Sequence, residues 1–156
     1  MIVFISGSIN SGKTTTGKAL SKKLNAKFID IDDLNDRIPN FDLSKDISKG
    51  IDIAINEINN LTNEGYLVVV SYVIRKKDFD QLNKGLIDRN TLFITLAPTL
   101  EIAQSKRGDR DLSEWEIKRI KYHYEIGIAN PSFGNIIDNS DLSIDETVDV
   151  IAKLVK

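Results

Sequence analysis

The chain of 156 residues predicts an α/β fold, with a parallel β-sheet covered on both faces by helices. Two observations carry that expectation. Short, continuously apolar runs alternate with helically spaced segments from one end to the other, and strands apolar on both sides belong in a sheet buried on both faces. Each run is also separated from the next by enough chain for a helical crossover, which parallel strands require.

The elements follow in order. Val3-Phe4-Ile5, ended by Ser6-Gly7, reads as a buried strand. Lys13 to Leu24 has helical spacing, with Ala19, Leu20 and Leu24 on one face. Lys27 to Ile31 is a second strand, followed by a cluster of acids. Pro39, Asn40 and Asp42 break the chain before a helix from about Ile47 to Leu61, whose apolar face is Ile51, Ile55, Ile58 and Leu61. Gly65 stops that helix, and Tyr66 to Val70 is the clearest strand. A helix over Phe79–Ile87, a strand over Leu92–Leu96 and a helix from about Thr99 to Lys106 continue the alternation. Ser113 and Glu116 have capping-box spacing and open another helix. Asn135 to Asp138 is a fifth strand, and a second capping box, Ser143 with Glu146, opens a C-terminal helix. With no repeat, linker or low-complexity tract, the reading is one domain over 1–156.

Composition narrows the function. Net charge is −2, with basic and acidic residues mixed along the chain, so a nucleic-acid footprint is lacking and a small-molecule partner is expected. The absence of cysteine removes disulfides, thiolate metal sites and a cysteine nucleophile. No apolar run is long enough to cross a bilayer. The first apolar run is about five residues without a basic leader, so it is no signal peptide. No membrane partner and a cytoplasmic location are expected.

Residues 7–14, GSINSGKT, fit G-x-x-x-x-G-K-[ST], the phosphate-binding loop. Gly7 and Gly12 let the backbone turn with its N–H groups inward, and Ser8, Ile9, Asn10 and Ser11 complete that nest. The helix starting near Lys13 adds the positive end of its dipole. Lys13 reaches the β and γ phosphates, Thr14 offers a hydroxyl to Mg²⁺, and Thr15 follows at the phosphate end of the helix. ATP or GTP is the predicted ligand, with Mg²⁺.

FIDIDDLND, residues 28–36, places Asp30, Asp32 and Asp33 at the carboxyl end of a strand, the edge where ligands bind in such sheets. The next strand, YLVVVSYV, ends in Ser71-Tyr72 with no acid to serve Mg²⁺. Asp30 and Asp32 are therefore the nearest suppliers of carboxylate, and they face the same side if the strand persists. One would orient the ion, while the other accepts a proton from an attacking hydroxyl. The charged stretch KRGDRD, followed by a capped helix, reads as a mobile lid over about 106–114, with Arg107 and Arg110 poised to neutralise phosphate charge. His123, the sole histidine, together with Trp115, Tyr122 and Tyr124, reads as surface or packing, although one of the aromatics could line an acceptor pocket.

These residues resemble the adenylate-kinase-like branch of P-loop kinases, in particular the shikimate kinases, gluconate kinases and chloramphenicol phosphotransferases. The resemblance rests on GSINSGKT, FIDIDDL, RGDR and ANPSFG before IIDNS. It implies a five-stranded parallel sheet in the order 2-3-1-4-5, an ATP-dependent transfer to a small hydroxylated acceptor, and Arg107 and Arg110 on the nucleotide phosphates. It places the segment 130–140 by the nucleotide base. It also implies an acid after the second strand that contacts or deprotonates the acceptor. Asp32-Asp33-Leu34 looks like the chloramphenicol phosphotransferase arrangement, so Asp32 is the first candidate for that role. Lys13 and Arg110 join it as catalytic groups, with Thr14 and Asp30 as metal ligands. Arg37, Tyr72, Arg75 and Arg119 are candidate acceptor contacts. The Gly-Gly-Gly run that shikimate kinase carries after its third strand is replaced by Ser71 to Arg75, which argues against shikimate as the acceptor. Two competing readings stand beside this one. A nucleoside or nucleoside monophosphate kinase would want arginines in the acceptor segment, and residues 34–63 hold only Arg37. A regulatory ATPase would need no acceptor. The fold type is compatible with a monomer or a weak homodimer.

Overall fold

The computed structural model describes residues 1–155. The strands are β1 (Ile2–Gly7), β2 (Lys27–Asp30), β3 (Val68–Ser71), β4 (Thr91–Leu96) and β5 (Asn135–Ile137). The helices are α1 (Lys13–Lys23), α2 (Ile31–Asn35), α3 (Ile47–Asn63), α4 (Lys76–Gly85), α5 (Leu100–Ala103), α6 (Glu114–Glu125) and α7 (Ile144–Ala152). All pairings are parallel, and the sheet order is β2-β3-β1-β4-β5. That is the order the sequence resemblance implies.

The alternation of strand side chains divides the core in two. Ile2 and Phe4 of β1 face one side, where they meet Ile51, Ala54 and Ile58 of α3 and Leu82 of α4. Val3 and Ile5 face the other, with Leu20 of α1 and Val148 and Ile151 of α7. Both faces of β1 are fully buried. Phe4 stacks on Phe93 of β4 with centroids 4.5 Å apart, a packing that Phe4→Ala would remove at a cost of about 3–5 kcal/mol.

Three local departures from the sequence reading bear on the site. The second strand ends at Asp30 rather than running through Ile31, because the Asp30 side chain caps α2 by accepting the Asp32 N–H at 3.1 Å. Asp30 and Asp32 therefore do not sit on one strand face. The helix expected over 99–106 closes after Ala103, since the carbonyls of Ala103 and Ser105 both accept from the side-chain amide of Asn10, at 2.8 Å each. The helix expected over 79–87 starts earlier, at Lys76, where the Asp78 carboxylate accepts both the Arg75 backbone N–H, at 3.0 Å, and the Arg75 guanidinium. Both capping boxes read from the sequence, Ser113 with Glu116 and Ser143 with Glu146, are present.

Candidate active site

The loop between β1 and α1 has the shape its glycines predict. Gly7 (φ 149°) and Gly12 (φ 91°) adopt backbone conformations closed to other residues. A Cβ on Gly7 would also meet Ser11 Oγ at 2.4 Å. Asn10 (φ 62°) takes the left-handed conformation that asparagine tolerates. No side chain caps α1, so its first N–H groups are left for an anion. The Lys13 ammonium donates to the Ser8 carbonyl at 3.3 Å, folded back over the loop. Desolvation lowers its pKa, while the nearby charges of Asp32 and Asp30 act in the opposite direction. A phosphate arriving here meets a lysine already short of solvent.

The Thr14 hydroxyl donates to Asp30 Oδ2 at 3.1 Å and lies 3.2 Å from Ser71 Oγ at the end of β3. Two oxygen side chains and a carboxylate, grouped at the phosphate end of α1, are a hard donor set that fits Mg²⁺. Ser71 stands where the sequence suggested a missing acid. Its hydroxyl, buried between the strands, supplies a further oxygen there. Sequence reasoning passed over it because a lone serine at a strand end carries no signal.

A cavity of about 500 Å³ opens on this loop, lined by Asn10, Lys13, Thr14 and Thr15 and closed by Arg107, Gly108 and Arg110. Leu142, Ser143 and Ile144, at the start of α7, form its far wall. Within the 130–140 segment, Asn139 is buried and donates from Nδ2 to the Ser11 carbonyl at 3.0 Å. The charged stretch around Gly108 is a tight turn in which Arg107 and Arg110 bridge as an antiparallel pair. Arg107 donates to the Asn10 carbonyl at 3.0 Å, which fixes this turn to the phosphate loop. Arg110 is held in an exposed ion pair with Glu116.

A second cavity, of about 260 Å³, lies on the other side of the loop, beyond Ile9. It gathers Asp32 from α2, Tyr72 and Arg75 from the segment after β3, and Arg119 from α6. Partial desolvation and the like charge of Asp30 raise the Asp32 pKa, with Lys13 opposing. Burial pushes the Tyr72 phenol up to about 12. Arg75 is braced by a bidentate pair with buried Asp78, at 2.7 and 3.0 Å. Arg119 lies over the Tyr122 ring, 4.9 Å from its centroid. Arg37, by contrast, is exposed and lines none of these cavities. Trp115, Tyr122 and His123 line the second cavity, whereas Tyr124 turns away and donates to the Pro98 carbonyl. His123 is buried, bonded through Nδ1 to Ser8 Oγ at 3.0 Å, and pushed down to about 4 by burial and by the positive charges of Arg119, Lys13 and Arg75. Its neutral ring joins α6 to the phosphate loop. One signal for it was available, since α6 carries Arg119, Tyr122 and His123 within five residues.

A strand-loop-helix phosphate site beside a second cavity, on a parallel 2-3-1-4-5 sheet, decides the architecture. This is the fold of the P-loop kinases. Comparison with known proteins agrees. The family profile described as shikimate kinase matches residues 9–47, which take in the phosphate loop from Ile9 onward, α1, β2 and the acids of α2. Among solved structures, a sugar kinase from Janibacter superposes with a TM-score of 0.75 at 12% identity, over 99% of this chain and 93% of that one. The APS kinase of Mycobacterium tuberculosis, in complex with AMPPNP and APS, gives 0.75 at 20% identity, over 99% and 96%. A tunicamycin resistance protein of Deinococcus radiodurans gives 0.72 at 20% identity, over 99% and 94%. No curated protein matches by sequence. Among the described residues, no helix of this P-loop kinase fold is long and apolar enough to cross a membrane.

Proposed function

We propose that the protein is an ATP-dependent kinase that transfers the γ-phosphoryl group to a hydroxyl of a small molecule. The single observation that carries this reading is the pair of cavities sharing one loop: Asn10, Lys13 and Thr14 line the first, and Ile9 and Asp32 line the second. A nucleotide in the first cavity would present its terminal phosphate to whatever occupies the second. A regulatory ATPase has no use for the second cavity. The match to a shikimate kinase profile and the likeness to sugar and APS kinases support the same reading.

The positions of the residues support a role for each. The phosphate loop and the start of α1 bind the phosphates, and Lys13 bridges toward the γ group. Thr14 and Asp30 would hold Mg²⁺, which when bound neutralises charge on the β and γ oxygens. Asp32 accepts the proton of the acceptor hydroxyl while that oxygen bonds to the γ-phosphorus, and the bond from phosphorus to the β–γ bridging oxygen breaks to release ADP. Arg107 and Arg110 cover the transferring group and exclude water. Arg110 must exchange Glu116 for a phosphate oxygen, a small demand because exposed pairs of this kind contribute about 0–1 kcal/mol. Tyr72, Arg75 and Arg119 orient the acceptor. The enzyme would act as a monomer or weak homodimer on soluble acceptors in the cytoplasm.

The nucleoside monophosphate reading gains the two guanidinium groups that residues 34–63 lack, since Arg75 and Arg119 reach the cavity from later in the chain. Two features weigh against it. Arg75 is already engaged by Asp78, and a cavity of about 260 Å³ is small beside the roughly 300–1,000 Å³ of drug-sized sites. Mg-ATP turnover with and without nucleoside monophosphates tests that reading directly.

A further inference from the structure

Ser8 is fully buried, and its hydroxyl lines neither the nucleotide cavity nor the acceptor cavity. The partner of that hydroxyl is Nδ1 of His123, at 3.0 Å. A hydroxyl has one hydrogen to give, and a buried hydrogen without an acceptor is costly. The Ser8 O–H therefore donates to Nδ1, which must be the unprotonated nitrogen of the ring. In a neutral imidazole the proton then sits on Nε2. Burial, with the positive charges of Arg119, Lys13 and Arg75 adding to it, keeps the ring neutral down to about pH 4, so this tautomer is the working form.

Nε2 itself bonds to no protein group. Among the described residues, the enclosed polar side-chain atoms without a partner belong to Ser11, Asn35 and Asn139, so Nε2 is not shut inside the protein. It opens on the acceptor cavity that His123 lines together with Asp32. An apolar side chain at 123 would fill the buried face of α6 beside Ile120 equally well, but it would serve neither Ser8 nor the cavity. The neutrality of the donor matters there. A further cation in the same cavity would lower the Asp32 pKa and weaken it as a base, whereas a neutral N–H adds a hydrogen bond without that effect.

We infer that His123 is an acceptor-binding residue: its Nε2–H donates a hydrogen bond to an oxygen of the compound whose hydroxyl proton goes to Asp32. Ser8 is the positioning residue behind it, since its hydroxyl fixes which ring nitrogen faces the cavity. The inference rests on the kinase reading for the fate of that compound, though not for its binding.

Because His123 is the only histidine, nitrogen NMR of the histidine-labelled protein reads its two ring nitrogens without any turnover. At pH 7 the Mg-ADP form should carry the proton on Nε2 and none on Nδ1; a proton on Nδ1 would overturn the inference. Titration with glycerol, gluconate, shikimate and uridine should move the Nε2 resonance saturably for at least one of them. No movement with any of the four would also overturn it. Two variants then separate binding from mere packing. His123→Asn places an amide oxygen where Ser8 can donate to it and removes the cavity donor, so the Kd of the compound that binds should rise about 3- to 10-fold. His123→Gln returns an amide N–H to the Nε2 position and should keep that Kd within about twofold. The opposite order, with Asn tolerated and Gln impaired, would mean that His123 serves only the bond to Ser8. ADP release from Mg-ATP is followed with the same compounds: an Nε2 response without stimulated release would support the donor and count against the kinase reading.

Discussion

Ser8 in the phosphate loop and His123 in α6 share a hydrogen bond of 3.0 Å between Oγ and Nδ1, and it is buried. Through it, the loop that grips phosphate and the helix that walls the acceptor cavity become one unit. Burial, with the positive charges of Arg119, Lys13 and Arg75 adding to it, keeps His123 neutral, its pKa pushed down to about 4 from the ordinary 6.5.

A pH dependence of stability follows from that burial. A histidine whose folded pKa lies below its unfolded value leaves the unfolded chain binding more protons. Stability is then full above pH 6.5 and is lost as pH falls toward 4, by roughly 3 kcal/mol. Urea unfolding across that window should show the loss in the wild type, and His123→Gln should flatten it.

Lys13→Ala removes the one ammonium that folds over the phosphate loop. Calorimetric titration with Mg-ATP should show binding weakened on the order of 100-fold, the loss of charge-assisted bonds to phosphate. Far-UV dichroism should stay unchanged, because Lys13 is not part of either core.

Asp32→Asn keeps the shape of the acceptor cavity and removes the base. ATP affinity should stay within about threefold, while acceptor phosphorylation falls about 10²–10⁴-fold. In the wild type, the rate should fall on the acid side through a pKa above the ordinary carboxylate value of 3.8, since Asp32 must be ionised to accept the proton. Measuring kcat/KM against pH checks the sign.

Gly50 lies inside α3, where a Cβ would sit 1.7 Å from Asn35 Oδ1 on α2. Asn35 is buried, so its amide would have to shift within the packed interior, and Gly50→Ala should destabilise the protein by about 1–3 kcal/mol despite the better helix propensity of alanine. Thermal unfolding would register the change. Because α2 carries Asp32, turnover should fall as well.

The layout of the sheet and the phosphate site was legible because each rests on local signals. The β1 run, the two glycines of the loop and the two serine capping boxes depend on neighbours within four residues. The acceptor cavity was legible only in part. Asp32, Tyr72, Arg75 and Arg119 come together from three separate segments, and nothing local distinguishes them from Arg37, which stays in solvent. His123 and Trp115 looked like packing residues because a helix pattern shows which residues share a face and not what that face meets. Ser71 at the Thr14 hydroxyl and Asn139 on the Ser11 carbonyl likewise depend on strand order, which places distant segments side by side. The end of β2 was misread for a simpler reason: Asp30 serves as both strand terminus and helix cap, and the apolar Ile31 after it extends the strand pattern by one residue.

The central claim is that phosphate leaves ATP for an acceptor held against Asp32. The most direct measurement follows the terminal phosphate of γ-labelled ATP in the presence of a panel of small hydroxylated compounds, in the wild type and Asp32→Asn. Label recovered in a phosphorylated acceptor by the wild type, and absent from the variant, is the predicted result. Label released only as inorganic phosphate, at the same rate with and without acceptors, would contradict it.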